Sequence, residues 1–556
     1  MRLVGRSERL IDLAARAGLL LLCALMFMHG LGKHGFINGG EALFVESARE
    51  MVLSGEWAVP TLDGLPYLEK PPLFVWLLSA AIGLLGLSEA APRAVTVAAA
   101  LALVGAVLGF SRLFGIGTRG AAAAFILATS LGVYVMARVA MPEILLTALF
   151  SIACLSFLAA LRTASVAWLR SAAVLLGAAA LIKGPLAIAL FALIAAFFYL
   201  LEPARRGTMR VFLRDRPAAL LLVLPLCLWL VAIEVRQPGA AYYFVVNEHV
   251  LRFLGLREPR DYYSGSVFYY VPRLFLFTFP WTGALFFGWL SPAPAVDEDK
   301  RQVRRFLWLC AWVPFLFFSA SSAKANYYIL LCVPPLALLT ADYLPALLRT
   351  RNRVNLVLAI LLPVLLLAAL WAYGVWSIQS DQTTPLLFAV DGRGTLTVAI
   401  LLLLTLGIAA LARAGRKRAA LLCLGGLIVP VALQIDHLAA RAEPIMSVRG
   451  VARYLRDAHP AAPVYLYQDF EAVASLAIYL DRTLPVIDSK SSDLYFGQHL
   501  FPEHPNFVTE ERASSLEAGS LVVVADGRAA AFLNMELGKR SEVVATIGRT
   551  RVFRAT

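Results

Sequence analysis

The chain has 556 residues, 60% of them hydrophobic and 16% charged, with a formal net charge of +13 and a mean hydropathy of +0.73. So little charge cannot clothe a water-soluble protein of this length, which excludes an ordinary globular enzyme. The positive excess falls in short loops between apolar runs, where it orients a membrane protein, so nucleic acid is not an expected partner.

Apolar runs long enough to cross a ~30 Å hydrocarbon core recur from the N-terminus onward. Residues 1–30 carry a basic head and an apolar stretch without a small-residue cleavage pattern, and read as an uncleaved first helix. Predicted spans follow the pattern 12–31, 90–111, 120–137, 144–161, 169–182, 184–201, 217–235, 267–290, 306–320, 328–346, 354–376, 394–412 and 419–436, about thirteen in all. Cys23, Cys154, Cys227, Cys310, Cys332 and Cys423 all lie within apolar runs without CxxC spacing, and read as small buried hydrophobes.

A further apolar stretch at 71–87 (PPLFVWLLSAAIGLLGL) decides the topology. If it lies at the interface, basic clusters such as Arg205, Arg206, Arg210, Arg214 and Arg216, or Arg413, Arg416, Lys417 and Arg418, share one side with the N-terminus. If it spans, nearly all of them move to the wrong side, against the positive-inside rule. It is therefore predicted to be interfacial or re-entrant, with the N-terminus cytoplasmic and the C-terminus outside.

Beyond residue 436 the composition changes. Short strands are predicted at 464–467, 484–487, 521–524 and 543–547, with helices at 447–457 and 470–480. The expected organisation is an all-α membrane domain over 1–436, with an outer loop at 32–88, and a small soluble α/β domain over 437–556. The tail has no glycine-rich phosphate loop, so no chemistry is assigned to it. No internal repeat is seen, which weakens a transporter reading.

Two outer segments are rich in ordered-looking residues. Residues 40–54 (GEALFVESAREMVLS) predict an amphipathic helix bearing Glu41, Glu46, Arg49 and Glu50, followed by the turn-rich VPTLDGLPYLEKPP. Charges also stand at the outer ends of spans: Arg138, Glu143, Lys183, Arg252, Arg257, Arg260, Arg273 and Lys324. Each alone is explained by snorkelling or a structural ion pair. As a set they predict a basic cavity at headgroup level, suited to an anionic lipid head. The run Tyr242, Tyr243, Tyr262, Tyr263, Tyr269 and Tyr270 is an interfacial belt or a carbohydrate platform.

The loop GGEALFVESAREMVLSGEWAVPTLDGLPYLEKPPLFVW resembles the first outer loop of bacterial GT-C glycosyltransferases. These are the protein-O-mannosyltransferase-like enzymes that include the lipid A aminoarabinose transferase. Glu41, Ala48–Met51, Gly55–Trp57 and Tyr67–Pro72 carry the likeness, and RVAMPEILLTALF, LIKGP, FPW and KANYYIL follow in the family's order. The chain departs from the pattern at Gly40, where the family has an acid, at Leu43 and Phe44, and at Glu143, usually Asp.

The resemblance implies a polyprenyl-phosphate-sugar-dependent transferase of GT-C type in a bacterial inner membrane, with the soluble domain periplasmic. The expected donor is an undecaprenyl-phosphate sugar, aminoarabinose or another amino sugar, and the expected acceptor is lipid A or another outer-leaflet molecule. Glu41 and Glu143 are the expected catalytic acids, with Lys70, Lys183, Lys324 and Arg138 binding the lipid phosphate. Glu69, Tyr67, Tyr328 and His249 are expected to bind substrate. No cofactor is required by this chemistry; Glu69 with His249 is a lone candidate pair for a divalent metal. Membrane lipids are the other expected partners, and a monomer is expected. The alternatives are transfer to a protein or glycan hydroxyl, and a lipid transporter or scaffold without catalysis.

Overall fold

The computed structural model describes residues 4–114, 119–259, 265–290, 297–349, 353–380 and 392–556. Arg260, Tyr262 and Tyr263 lie outside the described residues. A helix satisfies its own backbone in lipid, and helices dominate the first 446 residues. Among the described residues, eight helices are long and apolar enough to cross a membrane. They are Ala90–Ser111, Glu143–Thr163, Val166–Lys183, Arg216–Arg236, Glu298–Ala320, Asn326–Leu348, Arg393–Arg413 and Lys417–Met446. Leu186–Leu201 and Pro203–Phe212, bent by 109°, make a ninth if they form one span.

The predicted count of thirteen is therefore not reached on length and composition. Two of the predicted runs are broken into pieces too short to cross. The 120–137 run is two helices, Arg119–Ala128 and Leu131–Met136. The 267–290 run is Tyr270–Phe277 and Thr282–Leu290, interrupted at Pro280, whose missing N–H and ring oppose a continuous helix.

The 71–87 stretch forms the helix Leu73–Leu85, whose 13 residues fall short of a bilayer. It packs on the helix Glu41–Ser54, with Phe74 edge-on to Phe44 at 5.4 Å and Ser79 donating to the Ala48 carbonyl at 3.2 Å. The Glu41–Ser54 helix is not amphipathic in its setting: Glu41, Glu46, Arg49 and Glu50 are buried along with its apolar residues. A hairpin of β1 (Thr61–Leu62) and β2 (Leu65–Pro66) follows it.

The soluble domain is a six-stranded sheet ordered β5-β4-β3-β6-β8-β7. Its strands are β3 (Val464–Tyr467), β4 (Val486–Ile487), β5 (Phe507–Val508), β6 (Leu521–Ala525), β7 (Ser541–Ile547) and β8 (Thr550–Ala555). β3 to β6 run parallel, and β7 and β8 close one edge as an antiparallel hairpin. Alternation along β3 sends Val464 and Leu466 to one face and Tyr467 to the other. On the first face, Leu466, Phe470 and Ile478 share a core with Phe36, Ala42 and Val45 of the outer loop. The outer loop and the soluble domain are thus one packed unit, which fixes the domain over the ends of the spans.

Candidate functional site

Two cavities of about 400 Å³ each adjoin where the spans meet the soluble domain. The first is apolar, walled by side chains such as Leu186, Val250, Phe253, Leu254, Phe317 and Phe318. The second is polar and lies beneath the soluble domain, with charged groups from both domains on its walls. Glu69, Lys70, Lys183, Arg252, Ala323 and Tyr328 line both, so the partition between them is mainly charged.

That partition is built by an alternating chain of charges. Lys70 lies 3.3 Å from Glu69, and Glu69 accepts from Arg257 at 2.6 Å. Arg257 donates onward to Glu248 at 2.6 Å, and Glu248 also accepts from Arg252 at 3.0 Å. Burial pushes the Glu69 carboxyl up, but Lys70, Arg257 and Arg252 outweigh it and hold it below its usual range. Arg252 and Glu248 stand on wide π-helical turns over Tyr243–Leu251 and on the short helix that continues them. Such turns are rare and recur at functional sites.

Lys183 donates to Glu143 at 2.9 Å and sits 4.2 Å from the centre of the Tyr328 ring. The other Glu143 oxygen, Oε2, is buried without a hydrogen-bond partner. Lys183 ends its helix at Gly184, whose φ of +70° suits glycine, and a Cβ there would meet His249 Nε2 at 2.2 Å. Lys324, 3% exposed, donates to the Phe318 and Ser319 carbonyls at 2.9 and 2.8 Å. It thereby caps the helix Glu298–Ala320. Burial lowers its pKa. Tyr67 donates to Asp493 of the soluble domain at 3.2 Å.

Seven of the ten predicted residues thus line the polar cavity: Tyr67, Glu69, Lys70, Glu143, Lys183, Lys324 and Tyr328. His249 lines the apolar cavity instead. Its Nδ1 lies 2.7 Å from the Phe244 carbonyl and its Nε2 3.2 Å from that of Lys183. Glu69 is engaged by Lys70 and Arg257, and no cluster of three or more His, Cys, Asp or Glu fit to hold a metal ion stands among the described residues.

Two residues are placed elsewhere. Glu41, expected to be catalytic, is fully buried and holds Arg93 through two bonds of 2.7 Å. It also accepts from Ala140 N at 2.8 Å and Ile37 N at 3.2 Å. Glu41 is a clasp between the outer loop, the Ala90–Leu113 helix and the turn that presents Glu143, and it does not line the cavity. Arg138, expected to bind phosphate, pairs with Asp436 at 2.8 Å and lines a separate cavity of about 110 Å³. Gly40 does line the polar cavity, and a Cβ there would meet only Met141, at 3.7 and 3.8 Å.

Sequence reasoning missed the soluble domain's share: Asp469, Glu471, Lys490, Asp493 and Arg528 all line the polar cavity. Each follows the carboxyl end of a parallel strand, Asp469 and Glu471 after β3, Lys490 and Asp493 after β4, Arg528 after β6. Ligands of open α/β sheets bind at that edge, and this was the available signal. Of the aromatic run, Tyr243 packs against Phe496 with ring centres 4.4 Å apart and Tyr270 is buried; the tyrosines that line the polar cavity among the described residues are Tyr67, Tyr327 and Tyr328.

Residues 69–234 match a family model described as dolichyl-phosphate-mannose-protein mannosyltransferase. The chain is 32% identical over 340 residues to the undecaprenyl phosphate-alpha-4-amino-4-deoxy-L-arabinose arabinosyl transferase of Pectobacterium carotovorum subsp. carotovorum (strain PC1), covering 59% of each chain. It is 28% identical over 329 residues to the protein of that description from Shewanella sediminis (strain HAW-EB3), covering 58% of each. The chain thus spans under two thirds of the length of the curated relatives it matches. Among solved structures it is similar to ArnT from Cupriavidus metallidurans, in the apo state and bound to undecaprenyl phosphate. Both match with a TM-score of 0.75 at 21% identity, covering 97% of each chain. The chain has that GT-C fold, and the resemblance carried by the outer loop is to the same group of enzymes.

Proposed function

We propose that this chain is an inner-membrane glycosyltransferase that moves an amino sugar, 4-amino-4-deoxy-L-arabinose or a close analogue, from undecaprenyl phosphate to lipid A. The observation that carries the reading is the junction of the two cavities. An apolar groove suits a polyprenyl tail, a polar chamber suits a sugar, and Lys70, Lys183 and Arg252 stand between them where the linking phosphate would lie. The names of the curated relatives and of the lipid-bound neighbour support the same donor.

In the proposed reaction an acceptor oxygen attacks the anomeric carbon as the bond to the polyprenyl phosphate breaks, with inversion. The leaving phosphate gains charge, which Lys70, Lys183 and Arg252 stabilise, so the step needs no cofactor. A lipid A phosphate is already an anion and needs no base. Glu143 then orients the sugar through Oε2 instead of removing a proton. Transfer to a protein or glycan hydroxyl is the second reading, in which Glu143 acts as the base. We place the outer loop and the soluble domain in the periplasm, with the N-terminus cytoplasmic. We also retain thirteen spans by counting each broken pair as one span and adding helices Val4–Met28 and Arg353–Ser380, with the chain divided at 436/437 and acting as a monomer.

Purified protein incubated with radiolabelled undecaprenyl-phosphate aminoarabinose and lipid A should yield labelled lipid A and free undecaprenyl phosphate. Label reaching only peptide or polysaccharide would select the second reading. No turnover despite tight lipid binding would leave a scaffold.

A further inference from the structure

The helix Leu186–Leu201 starts at the candidate site and ends on the opposite membrane face. Leu186 and Ala189 line the apolar cavity, and the helix's 16 residues carry the chain about 24 Å away from it. There the chain bends by 109° into a helical segment over Pro203–Phe212. With Leu186–Leu201 crossing the bilayer, that segment lies close to the membrane plane, and Arg216–Arg236 then crosses back. Its two sides differ. Met209 and Phe212 are buried, Phe212 with its ring 6.5 Å from that of Phe157. Arg210 and Arg214 are exposed, and between them stand Val211 and Leu213, 63% and 83% exposed. Apolar side chains this bare, interleaved with arginines, suit the boundary between headgroups and acyl chains.

A second observation is the state of the charges. Residues 203–216 contain five arginines and a single acid, Asp215. The acids of this face have other partners: Asp215 pairs with Arg170 at 3.1 Å, Glu202 with Arg305 at 2.7 Å and Asp299 with Arg205 at 3.3 Å. Arg206 donates instead to the Tyr199 and Leu200 carbonyls at 2.9 and 3.0 Å, and Arg210 to the Tyr199 hydroxyl at 3.0 Å. Both guanidiniums lie by the Tyr199 ring, 5.4 and 6.0 Å from its centre. These neutral partners fix the direction of the two groups without cancelling their charge.

We propose that Tyr199, Arg206, Arg210 and Arg214 bind the headgroup of an anionic phospholipid in the leaflet opposite the chamber, with Val211 and Leu213 against its acyl chains. The arginines match the phosphate in charge and in donor geometry. The exposed apolar pair beside them selects a lipid over a soluble anion, which would leave Val211 and Leu213 in water. The site stands at the far end of a span from the two cavities and is independent of the sugar-transfer reading.

The test is photolabelling of the full-length protein in phosphatidylcholine nanodiscs carrying a minor fraction of lipid with a photoreactive headgroup, either phosphatidylglycerol or phosphatidylcholine. Labelled peptides are mapped by mass spectrometry. The phosphatidylglycerol probe is expected to label residues 203–216 about tenfold more than the phosphatidylcholine probe, as several arginines at headgroup level imply. In Arg206→Gln/Arg210→Gln/Arg214→Gln the excess should shrink to about threefold or less by the same measure. Arg210→Gln/Arg214→Gln leaves the Arg206 bonds to the end of the span in place. It should lose part of the excess, which keeps the test valid if the triple variant is unstable. The charge-retaining Arg210→Lys/Arg214→Lys should keep most of it. Equal labelling by the two probes, or an excess undiminished in both neutralising variants, overturns the site. Suppression of the excess by soluble glycerol phosphate would overturn the lipid assignment in favour of a soluble anion.

Discussion

Replacing Glu41 by glutamine keeps the shape of the side chain and removes its charge, leaving Arg93 buried without its counter-ion. The two side chains are 0% and 5% exposed, so solvent screening offers little relief. Both carboxylate oxygens face two donors: Oε1 meets Arg93 Nε and Ala140 N, and Oε2 meets Arg93 Nη2 and Ile37 N. The amide nitrogen of glutamine must therefore confront a pair of N–H groups. Against this, Arg93 keeps its bonds to the Leu31, His34 and Gly35 carbonyls. Removing one partner of a buried pair costs about 3–5 kcal/mol, and these terms leave Glu41→Gln within that range. For a cooperative unit of a few hundred residues this is a fall of roughly 5–15 °C in unfolding midpoint. Intrinsic tryptophan fluorescence of the protein in detergent, recorded on heating, reads it directly. Turnover measured well below the midpoint should stay within threefold of wild type, because Glu41 presents no surface to the cavity. An unchanged midpoint with turnover reduced a hundredfold would refute the clasp and return Glu41 to the chemistry.

Three further outcomes are expected. Glu143→Gln separates the two acceptor classes by size of effect: loss of a general base costs about 10²–10⁴ in rate, so a fall below ~30-fold supports a phosphate acceptor and a larger one supports a hydroxyl. Lys183→Ala removes a charged donor at the junction and should weaken binding of undecaprenyl phosphate by on the order of 10–100-fold, measured by fluorescence titration in nanodiscs. Glu50, beside Glu46, has its pKa raised from 4.5 to about 8 by burial and that neighbour. The folded state then holds a proton that the unfolded chain releases between those values. Stability should fall as pH rises through that window, and Glu50→Gln should flatten the dependence in thermal scans.

Much of the site could be read from the sequence because its parts are local. Tyr67, Glu69 and Lys70 sit within one turn-rich motif, and the positive-inside rule kept 71–87 out of the bilayer, which put Glu143, Lys183 and Lys324 on the same face. What local pattern cannot supply is the partner of a charge. Glu41 and Glu143 look alike in sequence, each an acid near a predicted helix start. Arg93 lies 52 positions from Glu41 and Lys183 lies 40 from Glu143, and those distant partners give one a structural role and the other a cavity wall. The number of unbroken spans was less legible for a related reason. Hydropathy sums along a run and does not register a break such as Pro280, where helices Tyr270–Phe277 and Thr282–Leu290 part.

The soluble tail shows what a missing motif does and does not mean. It lacks a glycine-rich loop, yet its sheet obeys the rule that open α/β sheets bind ligands beyond the carboxyl ends of their strands. From β3 the chain moves outward to β4 and β5, then returns to place β6 on the other side of β3. The crevice belongs between β3 and β6, and there Asp469, after β3, meets Arg528, after β6. That ion pair lies at the switch point of the sheet, and both residues line the polar chamber. The sheet therefore applies its binding edge to a cavity made by the membrane helices. Gly40 takes on a different meaning in that setting. The acid absent from the outer loop leaves room beside Met141, and Gly40 and Glu471 line the same cavity. Restoring a carboxylate with Gly40→Asp should fold normally, since its Cβ makes ordinary contacts, and its unfolding midpoint in thermal scans should stay within a few degrees of wild type.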